Sequence, residues 1–216
     1  GFNTNPDGAL EFGLTYLDKP QRTDAHSGWA ITAQHVQSAF LGGQNKFAVQ
    51  YGEGSGTGLG YTGNTKLDNS SKRYRIVEFF DWQVTPRFGG QVEAVYQKDF
   101  RPHGGNQEWM SLGVRPAYAI SEQFKLVTEL GHDQVRAKDG TRTLSKFTFA
   151  PTWSPKGPGF WERPEIRLYY TYASWNKAAQ RAANQLDAGS ALSDSGAFGN
   201  ARHGSNMGVQ VEYWWK

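Results

Sequence analysis

FWERPEIRLYYTYASW, residues 160–175, splits into two chemically opposite sets when every second residue is read. Trp161, Arg163, Glu165, Arg167, Tyr169 and Thr171 form one set; Pro164, Ile166, Leu168, Tyr170 and Tyr172 form the other. Successive side chains of a strand point to opposite sides of a sheet, so an extended segment here has a charged, aromatic face and a continuously apolar one. A soluble strand turns such an apolar face into a core. A transmembrane barrel strand turns it to lipid and keeps its charges in a wet lumen.

The same alternation recurs along the chain. Leu10, Phe12, Leu14 and Tyr16 oppose Glu11, Gly13 and Thr15, and Met110, Leu112, Val114 and Tyr118 oppose Ser111, Gly113 and Arg115. Period-two reading predicts ten strands, near 9–17, 28–38, 44–52, 73–84, 88–99, 107–118, 123–134, 143–153, 161–175 and 204–215. In IVEFFDW (76–82) apolar residues fall on both faces, which allows a bulge, a partner-facing surface or a different register. Long polar connections (18–27, 53–72, 100–106, 135–142, 176–203) alternate with shorter ones (39–43, 85–87, 119–122, 154–160). That parity fits an outer-membrane barrel with long extracellular loops and short periplasmic turns, and it puts Trp161 and Trp214 at the periplasmic side. Within the longest loop, NKAAQRAANQLD (176–187) is rich in helix formers and predicts a short surface helix.

Composition agrees with an all-β transmembrane antiparallel barrel. A mean hydropathy of −0.66 leaves no run of about 20 apolar residues for a spanning helix, a test that barrel strands escape. Aromatics at 14% supply interfacial girdles and 26 Gly supply turns. The net charge of +3 comes from scattered Lys and Arg without a basic cluster, which argues against nucleic acid. The absence of Cys excludes disulfides and thiolate metal sites.

No chemical motif survives close reading. GEGSGTGLG (52–60) lacks a following Lys-Ser or Lys-Thr pair and a helical pattern, so it reads as a loop, not a phosphate cradle. His26, His35, His103, His132 and His203 form no ligand spacing, so neither a metal nor any other cofactor is expected. Glu93, Glu129, Glu165 and Glu212 share polar faces with Arg115, Lys125, Arg163 and Arg167, as lumen charges do, and no catalytic residue is assigned. The informative residues are the aromatics that share polar-face parity: Trp161 with Arg163 and Arg167, and Trp214 with Gln210 and Glu212, while Trp215 has the parity of Val209 and Val211. A Trp in a watery lumen suits a sugar, whose ring has an apolar face while its hydroxyls bond to charged neighbours.

SGWAITAQHVQS (27–38), NKFAVQY (45–51), SLGVRPAY (111–118), ELGHDQV (129–135), residues 160–175 and GVQVEYWW (208–215) together resemble, in order and spacing, the C-terminal half of the maltoporin or sugar-specific porin family. The resemblance implies a bacterial outer-membrane channel, trimeric, of eighteen strands, of which this chain would hold about ten as one domain over residues 1–216. It implies facilitated diffusion of oligosaccharides such as maltodextrins along a row of lumen aromatics, with no enzyme activity. It places two of those aromatics on Trp161 and Trp214, with Arg163, Arg167, Glu165 and Glu212 as hydroxyl partners. Partners implied are the oligosaccharide, outer-membrane lipid, a homotrimer and a phage at the outer loops. Two departures stand out: Gln44 occupies the place of a further slide aromatic, with Phe47 on the lipid-facing parity, and Lys216 follows the aromatic terminus. The competing readings are a general diffusion porin without a saccharide site and a soluble all-β saccharide-binding or hydrolytic protein.

Overall fold

The computed structural model describes residues 1–21, 24–102 and 104–214; His103, Trp215 and Lys216, which entered the sequence reading, lie outside the described residues. Among the described residues eleven strands form one antiparallel sheet in chain order, with β1 and β11 at its edges. They are β1 (Phe2–Asn5), β2 (Gly8–Leu17), β3 (Gly28–Phe40), β4 (Gly43–Gly54), β5 (Lys72–Thr85), β6 (Phe88–Phe100), β7 (Gln107–Ala119), β8 (Phe124–Ala137), β9 (Gly140–Trp153), β10 (Glu165–Trp175) and β11 (His203–Glu212). A nearest-neighbour meander with hairpin connections is what consecutive alternating strands build. No helix among the described residues is long and apolar enough to cross a membrane.

The apolar sets lie on one face and are largely exposed: Leu14 is 76% accessible, and Phe12, Leu112, Leu130, Leu168 and Val209 are also open. Two aromatic rows border this face. At the long-loop end Trp29, Tyr51, Tyr74 and Phe100 stand ring to ring at 4.8–5.8 Å, and at the short-turn end Phe40, Phe80, Trp82 and Phe88 do so at 5.6–6.1 Å. The Trp29 indole and the Tyr51 hydroxyl both donate to Glu53, 2.7 and 2.8 Å away, which gives amphipathic rings the polar edge that an interface requires. An apolar band between two aromatic girdles is the outer surface of a membrane barrel.

Sequence and structure part at four places, and at β5 the structure resolves an alternative that the sequence leaves open. β1 is an additional short strand, paired to β2 through the turn at Asp7, which has a positive φ of 61°. Strand β5 is continuous, its register shifting only between Gln83 and Thr85. Its ambiguity comes from real two-sidedness: Phe79 lies with Lys46 and Glu93, while Glu78 lies opposite Phe47 and Ala94. Glu78 accepts a hydrogen bond from the Asn45 amide, which offsets part of the cost of an outward carboxylate. The connection expected to be long at 135–142 is a tight turn at Lys138–Asp139. Conversely, residues 154–164, expected as a short turn plus the first residues of a strand, form an extended connection, and β10 begins only at Glu165. Pro164 has no N–H for the ladder, so pairing starts after it. Strand β11 stops at Glu212, leaving Trp214 beyond the ladder.

The expected loop helix is present as α1 (Lys177–Leu186), capped by the Asn176 side chain, which accepts from the Ala179 N–H at 2.9 Å. At the tight turn, Arg142 donates to both oxygens of Asp139 at 2.7 and 2.9 Å, and these bonds hold that carboxyl below the usual carboxylate range. A depressed carboxyl adds stability above the unfolded value of ~3.9 and loses it as pH falls through the folded value. Arg142→Ala is therefore expected to raise the Asp139 midpoint toward ~3.9, read by NMR titration of the carboxyl carbon.

Candidate functional site

The second face of the sheet carries the polar sets, and the connection 154–164 folds over it. Its backbone reaches β8, where Lys125 Nζ donates to the Gly159 carbonyl at 2.8 Å, and β5, where the Phe160 N–H donates to Gln83 Oε1 at 2.9 Å. Strands β5 and β10 are five places apart, roughly 24 Å along a flat sheet at ~4.8 Å per strand, so contacts to β5 from a segment entering β10 mean that this face is concave. Phe160 is seated among Ala117, Val127 and Ala150, three small residues at one level of β7, β8 and β9, with Tyr169 packed alongside. Burying a Phe in such a seat contributes about 2–3 kcal/mol, enough to hold the segment against the wall.

Trp161 and Trp214 come together at this point. Their rings lie 5.9 Å apart at 36°, and they are 43% and 53% exposed on the concave side. The Trp161 indole N–H donates to Asp81 Oδ2 of β5 at 3.0 Å, and Phe160 packs on it edge-on at 4.9 Å. Trp214 has the Arg163 guanidinium 4.8 Å from its ring centroid. The orientation expected from strand parity is thus reached by another route. Neither Trp belongs to the ladder, and both are set by hydrogen bonds and stacking around a folded connection.

The four charged residues read from the sequence form one ionic network beneath the pair. Arg163 Nε donates to Glu212 at 2.6 Å, and Arg163 Nη1 lies 3.2 Å from Glu165 while donating to the Phe160 and Glu162 carbonyls at 3.0 and 2.8 Å. Arg167 bridges Glu165 and Glu212, the latter at 3.0 Å. Lys125, treated in the sequence only as a balancing lumen charge, completes it at 2.9 Å from Glu165. Glu165 and Lys125 are both only 2% exposed; Glu212 is the more open carboxylate. A second ionic group, Arg115, Glu129 and Lys146, lies further up the same wall.

The residues that sequence reading missed are Asp81 and Gln83, which anchor the folded connection from β5, and Phe79. Only the register Lys46↔Phe79 reveals that Phe79 shares the inner face, two positions from Asp81 and on the strand next to Gln44; Phe47 faces outward. Among the described residues no group of three His, Asp or Glu is arranged to hold a metal ion.

A concave polar wall, an apolar outer band between aromatic girdles and a stacked Trp pair at one end are what a family comparison must account for, and the LamB porin family model matches residues 1–215. The chain belongs to the LamB porin family. Its sheet is accordingly wall of a bacterial outer-membrane β-barrel, its apolar face meets lipid, and its activity is sugar-selective passage through a channel, not catalysis. The LamB porin wall of this chain is open at β1 and β11, whose outer edges have no strand partner among the described residues.

Proposed function

We propose that the chain carries part of an oligosaccharide path in which Trp161 and Trp214 offer stacking surfaces to successive pyranose rings. The supporting observation is the exposed pair itself: each ring is fixed at its edge or underside by Asp81, Phe160 or Arg163, leaving open aromatic surface toward the concave side. Glu212 is the carboxylate open enough to bond sugar hydroxyls directly. Glu165, Arg163 and Arg167 serve the site mainly by fixing Glu212 and the two Trp, since they are nearly buried. Weak successive contacts suit transport because a sugar can leave each one; a tight site would plug the pore.

In this reading the short-turn end faces the periplasm, the two open edges join further strands of a closed barrel, and the working form is a homotrimer. Phage docking at the outer loops belongs to the same family-level reading, and the connection containing α1 is the longest between consecutive strands among the described residues. The substrates assigned are maltodextrin-like oligosaccharides. The test is single-channel conductance of the full barrel in a planar bilayer, titrated in turn with maltohexaose and sucrose. Saturable block is expected, stronger for maltohexaose; steady current with both sugars would move the function to general diffusion.

A further inference from the structure

The ionic network under the Trp pair uses most of its donors and acceptors internally, with Glu212 as its open carboxylate and Arg167 Nε left without a hydrogen-bond partner among the described residues, and a second region of open hydrogen-bonding capacity lies on the same wall. It lies around a depression of about 350 Å³ that reaches from Arg115 on β7 to Gln210 on β11, with a smaller one of about 150 Å³ continuing past Arg115 toward Glu93. Arg115 donates to Glu129 Oε2 through Nε and Nη2, at 2.9 and 2.7 Å, so its other terminal nitrogen has no partner among the described residues. Lys146 Nζ touches Glu129 Oε1 at 2.5 Å and keeps further N–H donors. Below them Thr148 and Thr171 share one hydrogen bond of 2.8 Å, and the Tyr169 hydroxyl has no hydrogen-bond partner among the described residues.

The space is made by small residues. A Cβ on Gly113, which lines the smaller hollow, would find nothing nearer than 4.0 Å, and one on Gly208 would meet the Tyr169 hydroxyl at 2.7 Å. Val127 and Ala150 complete the floor. A wall with paired but incompletely used cations, a bridging carboxylate and hydroxyl groups around a shallow hollow matches vicinal hydroxyls, which donate and accept at neighbouring positions.

We propose that Arg115, Glu129 and Lys146 form a second saccharide station, bonding hydroxyls of an oligosaccharide whose other end stacks on Trp161 and Trp214. From Glu165 to Thr171 along β10 is about 20 Å at ~3.3 Å per residue, so the two stations act together on a chain of several linked rings and a disaccharide at the Trp pair does not reach the upper one. The proposal rests on the sugar-channel reading and adds residues to it.

The test compares maltohexaose and maltose block of the full barrel in Lys146→Met and Arg115→Met, with Lys146→Arg as the conservative control and the reversal potential in a salt gradient read alongside. Lys146 is about half exposed, so the barrel's heat-modifiable gel shift is expected to survive its replacement. Loss of one charge-assisted hydrogen bond predicts maltohexaose block about tenfold weaker in each Met variant, maltose block unchanged, and recovery in Lys146→Arg. Equal weakening for both sugars, or an altered reversal potential with both blocks intact, would overturn the station while leaving the Trp pair as the sugar site. Absence of block by either sugar in the unsubstituted barrel would remove the sugar-channel reading and this proposal together.

Discussion

Glu165→Gln is expected to lower barrel stability by about 3–5 kcal/mol, the range for removing one partner of a buried ion pair. The reason lies in the stoichiometry of the network. Glu165 is approached by Lys125, Arg163 and Arg167 together, and it is 2% exposed, so water cannot replace the lost charge. After substitution Arg163 and Arg167 keep Glu212, and the buried Lys125 loses the one carboxylate it is paired with among the described residues. Lys125→Met should cost less, because Glu165 keeps both Arg residues and the new side chain is apolar. The order Glu165→Gln worse than Lys125→Met, and not its reverse, is the prediction. It is checked by urea or heat unfolding of detergent-solubilised barrels, followed by the gel-mobility shift of the folded form. Equal losses would mean that the cations are insulated from one another by solvent the geometry does not suggest.

The second large effect concerns transport. Trp214→Ala removes an exposed stacking surface and the ring above the Arg163 guanidinium, and Trp161→Ala removes a ring held by Asp81. A lost aromatic platform is worth about 1.4 kcal/mol, so each change should weaken saccharide block of the ion current about tenfold. Asp81→Asn separates positioning from contact. Its side-chain oxygen can still accept from the Trp161 indole at the same place, so block should be preserved, whereas Asp81→Ala frees the ring and should weaken block while leaving the stacking residue present. Unchanged block in a folded Trp161→Ala barrel would remove Trp161 from the path.

How much of this was legible beforehand differs by element. The alternation within β2, β7 and β10 is a local property of a pleated chain, so the inner and outer faces of those strands follow from residue order. Glu165, Arg167, Tyr169 and Thr171 do line the inner face as read, opposite Ile166, Leu168, Tyr170 and Tyr172. Helix α1 was equally local, its formers and its Asn cap being consecutive. Phe79 was not legible in the same way: in IVEFFDW both faces are apolar, and only pairing with Lys46 and Glu93 fixes which face is the lumen.

The Trp pair marks the boundary between the two kinds of information. That Trp161, Trp214 and their charged neighbours belong together was carried by parity and by likeness to a family. The parity argument, however, extended strands through residues that are not in strands. The actual cause is a connection that leaves β9, crosses the concave wall and is fastened by Gln83, Asp81 and Lys125. Two of these anchors lie 77 and 80 residues from their partners, and no window of sequence contains both ends. Sequence alone thus determined the two-faced strands and the outer-membrane class, because side-chain alternation and girdle composition are local. Tertiary structure alone decided where the aromatic surfaces stand and which charges remain free for a ligand, because closure of the wall brings distant side chains together and burial consumes some of their bonding capacity.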